Sequence, residues 1–119
     1  MPSADDRLSV FKNMAEKDPT NELAHFSLGK IHFESGSLAE AERSLRRTLE
    51  LSPEHAQAHR FLGETILKLG RKDEAVTILK VGIGFAHAKG EFQPRNQMQE
   101  VLRKAGVEPP MPQAAAGGG

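Results

Sequence analysis

The sequence predicts an all-α protein built as a stack of antiparallel helix pairs. Three observations carry this. Letters return at one fixed offset of 34 residues, Leu28, Gly29 and Gly36 coming back as Leu62, Gly63 and Gly70, and a period of that length marks a two-element unit copied along the chain. Within each unit the apolar residues recur at helical spacing rather than in alternation. The two segments of a unit are joined by only a few residues, so their helices must lie antiparallel.

Taken in order, the first element is "RLSVFKNMAEKD", where Leu8, Phe11, Met14 and Ala15 fall at helical spacing. Pro19 stands 34 residues before Pro53. A helix over 5–17 therefore reads as the second half of an earlier unit, with residues 1–4 expected to be disordered. The first full unit spans 22–53. Leu23, Phe26, Leu28, Ile31 and Phe33 form its first helix, which Gly36 ends. A second helix starts near Ser37 and carries Leu38, Ala41, Leu45, Thr48 and Leu49 on one stripe. Pro53 closes the unit, because it cannot continue a helix and biases Ser52 toward extended backbone.

The second unit, 56–88, repeats the plan with "AQAHRFLGETILKLG" and "KDEAVTILKVGIGFAHA". A further helix over 94–105 has Pro94 in its first turn, a stripe of Met98, Val101, Leu102 and Ala105, and Gly106 at its end; it is expected to cap the exposed end of the stack. The folded domain is thus predicted to cover 5–107. Residues 108–119, "EPPMPQAAAGGG", are a proline cluster followed by small residues that cannot bury a core. They read as a disordered tail, either a linker toward a further domain or a cloning remnant.

The repeated glycines follow from packing. Gly29 and Gly63 lack side chains and Ala41 and Ala75 have small ones, so the helices of each pair can approach closely. Gly36 and Gly70 are expected to act as left-handed C-terminal caps. Gly82 and Gly84 lie inside a helix, where each costs about 1 kcal/mol relative to alanine; close approach of the capping helix is the expected compensation for both.

These residues resemble the tetratricopeptide repeat family. Its pattern of Trp-x2-Leu-Gly-x2-Tyr, then Ala-x3-Phe, then Pro is met by His25, Leu28, Gly29, His32, Ala41, Leu45 and Pro53, and again by His59, Leu62, Gly63, Ile66, Ala75 and Leu79. The small and aliphatic positions match, while the aromatic ones are replaced. His87 stands where a second closing proline would fall, so the second unit is expected to run on into a longer helix. The resemblance covers roughly residues 5 to 88 and implies a right-handed superhelical stack of about two and a half repeats, whose first helices line a concave, peptide-accepting groove. Carried over by position, the partner-binding candidates are Phe26, Lys30, Phe33 and Glu34 from the first unit and Arg60, Glu64, Leu67 and Lys68 from the second. Phe26 and Phe33 also read as core. A chaperone-tail adaptor is disfavoured, because Phe26 and Phe61 fall near positions where that clamp wants polar groups. The phrase "NELAHFSLGK" is also similar to small bacterial repeat proteins associated with iron trafficking, though no iron ligands are evident.

Composition narrows the function. Sixteen Lys plus Arg balance sixteen Asp plus Glu, so the whole-molecule field draws neither nucleic acid nor an anionic membrane. There is no cysteine, which removes disulfides, thiolate metal sites and cysteine nucleophiles. The first residues carry early acids and no long apolar run, so no signal peptide or anchor is read and a cytoplasmic protein is expected. His55 and His59 are four apart, as on a zinc-binding helix, but no third ligand is near. Arg43, Arg46 and Arg47 lie among Glu40, Glu42 and Glu50 and read as an ion-paired solvated face. No phosphate loop, nucleophile elbow or HExxH motif occurs. The expected protein has no catalytic, cofactor or metal residues. It is a non-catalytic scaffold for a peptide or partner helix; the alternatives are a homo-oligomerising module, through Leu8, Phe11 and Met14 or through the outer side of the last helix, or an accessory domain of a metal- or iron-handling system.

Overall fold

The structure, a computed structural model, describes residues 3–110. Residues 1, 2 and 111–119, parts of the segments expected to be disordered, lie outside the described residues. Six helices are present among the described residues: α1 (Ala4–Lys17), α2 (Glu22–Glu34), α3 (Leu38–Leu51), α4 (Ala56–Lys68), α5 (Lys72–Ala88) and α6 (Phe92–Lys104). Each packs on its chain neighbour, and α2, α4 and α6 also pack side by side, forming one face of the stack. The fold is the all-helical stack predicted from the repeat.

Local chemistry sets the boundaries. Ser3 caps α1 in a reciprocal capping box with Asp6, so the ordered chain starts before residue 5. Asn21 caps α2 by accepting from the Ala24 amide at 3.0 Å. One period later His55 does the same for α4, its Nδ1 accepting from the Ala58 amide at 3.0 Å.

The helix ends fall into two kinds. Asp18 and Ser52, each before a proline, take extended backbone with φ of −140° and −142°, which stops α1 and α3. The first helices of the pairs instead end on left-handed glycines, Gly36 at φ 79° and Gly70 at φ 84°. Their chain reversal is closed by bonds from the Ser37 amide to His32 O and from the Arg71 amide to Ile66 O.

Gly106, with φ 81°, ends α6 in the same way, the Val107 amide bonding Leu102 O. It follows Gly70 by 36 residues rather than 34. In that register Leu62 and Gly63 correspond to Met98 and Gln99, so α6 lies where the first helix of a third unit would fall. The two extra residues are taken up by α5, which runs for 17 residues against 14 in α3 and ends on Gly90 at φ 71° instead of a proline.

The core is a continuous series of joints. Gly29 faces Leu45 and Gly63 faces Leu79; a Cβ at either glycine would lie 2.6 or 2.5 Å from its leucine. Ala41, Leu45, Phe61, Leu62, Ile66 and Ala75 form one buried cluster. Ala56, Leu79, Ile83, Ala86, Met98 and Leu102 form the next. Gly82 belongs to this second joint, since a Cβ there would meet His59 Cβ at 2.5 Å and Met98 Sδ at 2.7 Å. Gly84 does not: nothing lies within 4 Å of the corresponding point. The expected compensation by close approach therefore holds for Gly82 and fails for Gly84, because a two-residue step turns the helix by about 200° and points the second glycine at solvent. Leu23, read as part of the apolar stripe of α2, is 59% exposed.

Where a unit would begin its second helix against α6, residues 107–110 form no helix. Gln99 fills the position of the notch glycine and is buried; its Nε2 donates to Pro110 O at 3.3 Å, and Pro109 is buried beside it. The Pro109–Pro110 segment takes the place of a packed helix.

Candidate partner-binding groove

The face formed by α2, α4 and α6 carries all eight partner-binding candidates, but its two halves differ. Between α2 and α4 the surface is closed by aromatic packing. Phe26 meets the Phe61 ring edge-on at 5.8 Å and stacks on His55 at 4.6 Å, and Phe33 meets Phe61 edge-on at 5.4 Å. Cations cover the remaining ring surfaces, with the Arg60 guanidinium 4.5 Å from the Phe61 centroid and Lys68 Nζ 4.8 Å from that of Phe33. Phe26 and Phe33 are half-buried against the first core cluster. Lys30 and Glu34 are exposed on the same helix.

Between α4 and α6 the surface opens into a groove of about 420 Å3. Arg60, Glu64, Leu67 and Lys68 form one wall; Gln97, Glu100, Val101, Lys104 and Ala105 form the other. The one-turn spacing of these residues on each helix gives the groove an apolar floor of half-buried Leu67, Val101 and Ala105 and a polar rim.

The rim charges are not balanced. Glu64 is held by Arg60 at 3.0 Å and Glu100 by Arg103 at 3.4 Å. Among the described residues Lys104 and Lys68 make no ion pair, and Lys68 Nζ lies over the Phe33 ring. With both carboxylates paired, the residual field over the groove is positive.

Of the eight candidates named from the sequence, Arg60, Glu64, Leu67 and Lys68 line this groove, and none of the α6 residues that line its other side was among them. The signal for α6 was the return of Gly70 as Gly106, hidden because the offset had grown by two residues. A search at 34 ± 2 would have placed Gln97, Glu100, Val101 and Lys104 in the groove.

Several other titratable groups make structural contacts. Arg71 bonds Glu42 at 2.9 Å and Glu74 at 2.7 Å, and Arg46 joins the same two carboxylates, tying α3 to α5. The Arg71 bond, followed by Arg46, holds Glu42 below the usual carboxylate range; Glu74 is lowered by Arg46 first and Arg71 second. Arg47 is paired with Glu50 at 3.4 Å. Burial pushes His55 and His59 below the ordinary imidazole value, and His59 Nδ1 lies 3.0 Å from His55 O. Among the described residues no group of three or more His, Cys, Asp or Glu is placed to hold a metal. No described helix is long and apolar enough to cross a membrane.

The tetratricopeptide repeat model matches residues 26–86, just over half of the chain. The chain belongs to the tetratricopeptide repeat family. Repeats of this family mediate protein–protein interaction and typically form non-catalytic modules. The matched span covers α2 to α5 with most of both full units, and stops before α6, where the register changes. No curated protein matches the chain.

Proposed function

We propose that this repeat protein is a non-catalytic cytoplasmic scaffold that binds a peptide or partner helix in the groove between α4 and α6. The observation that carries the reading is the groove itself: an apolar floor of Leu67 and Val101 beneath a rim whose carboxylates are already paired and whose Lys68 and Lys104 are not. Such a surface favours a segment that presents an apolar side chain flanked by Asp or Glu. The α2 half contributes less, because Phe26 and Phe33 spend their ring surfaces on Phe61 and on cations.

Selection from a random peptide display library, followed by amide chemical-shift mapping of the selected peptide, tests this. Shifts should concentrate at Leu67, Lys68, Val101 and Lys104, and Leu67→Glu should weaken binding by about tenfold or more. Shifts confined to α3 and α5, or binding untouched by Leu67→Glu, would refute the groove.

A further inference from the structure

The two ends of the stack are built differently, and the difference points to a second copy of this chain. At the C-terminal end Gln99 fills the notch position and Pro109 and Pro110 cover it. At the other end α1 packs only on α2 among the described helices. None of its described side chains is fully buried, whereas every other helix has at least three buried residues. Leu8, Phe11 and Met14 are only partly buried and Val10 is 56% exposed.

The repeat register shows what this face is not made for. Phe11 occupies the position of Leu45 and Leu79, which are 0% and 1% exposed in their glycine notches. Arg7 occupies that of Ala41 and Ala75, both 0% exposed where paired helices approach most closely. An arginine in place of that alanine, and a phenylalanine in place of that leucine, obstruct an ordinary repeat helix at this end. The apolar residues that remain call for a partner packed in another way.

We infer that α1 is a homodimerisation element, pairing antiparallel with α1 of a second copy about Phe11. The charges agree. The first half of α1 carries Asp5, Asp6 and Arg7, net −1, and the second half Lys12, Glu16 and Lys17, net +1. Antiparallel pairing sets each acidic first turn against the partner's basic last turn, and parallel pairing sets like against like. Such a contact is isologous and closes at two copies. Head-to-tail growth is blocked because the opposite end is already covered.

The test is solution mass by light scattering with refractive-index detection, from about 1 µM to 1 mM, the range in which small interfaces dissociate. A monomer–dimer equilibrium is expected. Phe11→Glu should raise the dissociation constant by about thirtyfold or more, with the far-ultraviolet circular dichroism unchanged. Should that variant lose helix, Lys17→Glu keeps the idea testable: it should weaken the dimer about two- to fivefold, and adding Asp5→Lys should restore it. A monomer across the whole range, growth beyond dimers, or a dimer insensitive to both substitutions would overturn the inference.

Discussion

The joint between α4 and α5 and the joint between α6 and the Pro109–Pro110 segment start from one register position and finish differently. In the first, Gly63 admits Leu79 and the second helix of the unit seats fully. In the second, Gln99 stands in the same place, and the non-helical Pro109–Pro110 segment lies against it, Gln99 Nε2 donating to Pro110 O. Register alone does not decide whether a repeat continues. The side chain at the notch decides it, because a glycine leaves room for a packed leucine, whereas a glutamine fills that room and offers a polar group that must be satisfied.

The largest test transfers the terminal residue into the interior. Gly63→Gln places a long side chain where even a Cβ would lie 2.5 Å from the buried Leu79. Overpacking of this kind costs about 3 kcal/mol or more, and a urea titration followed at 222 nm should show a large fall in midpoint with an unchanged slope. A loss under about 1 kcal/mol would mean that the joint is loose and that the comparison is wrong.

The reverse substitution is milder. Gln99→Gly removes the bond to Pro110 O and adds a glycine to a helix interior, and should cost about 1–2 kcal/mol. It should also raise amide exchange in residues 107–110 if the Gln99 contact holds that segment down. Gly82→Ala belongs at a similar level. Its added methyl meets His59 Cβ and Met98 Sδ, so the overpacking exceeds the helix-propensity gain and the net effect is a loss of about 1 kcal/mol.

Most of the fold was legible because the signals that specify it are short-range. Helix spacing, proline stops and glycine caps act over a few residues, and the period of 34 reports contacts such as Gly29 with Leu45 that each unit makes again. What was not legible depended on insertion and on direction. Two extra residues in α5 moved α6 out of the searched register and concealed half of the groove. The aromatic positions were ambiguous for another reason: Phe26 and Phe33 sit on α2, and both of their rings pack edge-on against Phe61. The charged candidates Arg60, Glu64 and Lys68 were less ambiguous, since they fall on the side of α4 away from its buried residues, Arg60 and Glu64 partly buried and Lys68 exposed.

The caps of α2 and α4 extend the comparison to acidity. Asn21 and His55 do the same work one period apart, but only His55 can titrate. Its Nδ1 must be unprotonated to accept from the Ala58 amide, and burial lowers its pKa, as it does for His59. The folded state therefore binds fewer protons than the unfolded chain, so stability is full above the unfolded value of about 6.5 and declines as pH falls below it. His55→Asn should keep the cap and flatten the slope of stability between about pH 5 and 7. His55→Ala should cost about 1 kcal/mol at pH 8. An unchanged pH profile in His55→Asn would assign the whole effect to His59 and to the partly buried His32, which burial also lowers.

The smallest effect has the opposite sign and separates two neighbouring glycines. Gly84 follows Gly82 by two residues, lies on the exposed side of α5, and has nothing within 4 Å of the point a methyl would occupy. Gly84→Ala therefore gains helix propensity and restricts the unfolded chain with no steric cost. Stability should rise by about 0.5–1 kcal/mol, a few degrees in melting temperature for a domain of this size, while Gly82→Ala moves it the other way. If Gly84→Ala instead weakens the protein, the open side of α5 is not open in solution, and a contact at that face outweighs the cost of a glycine in mid-helix.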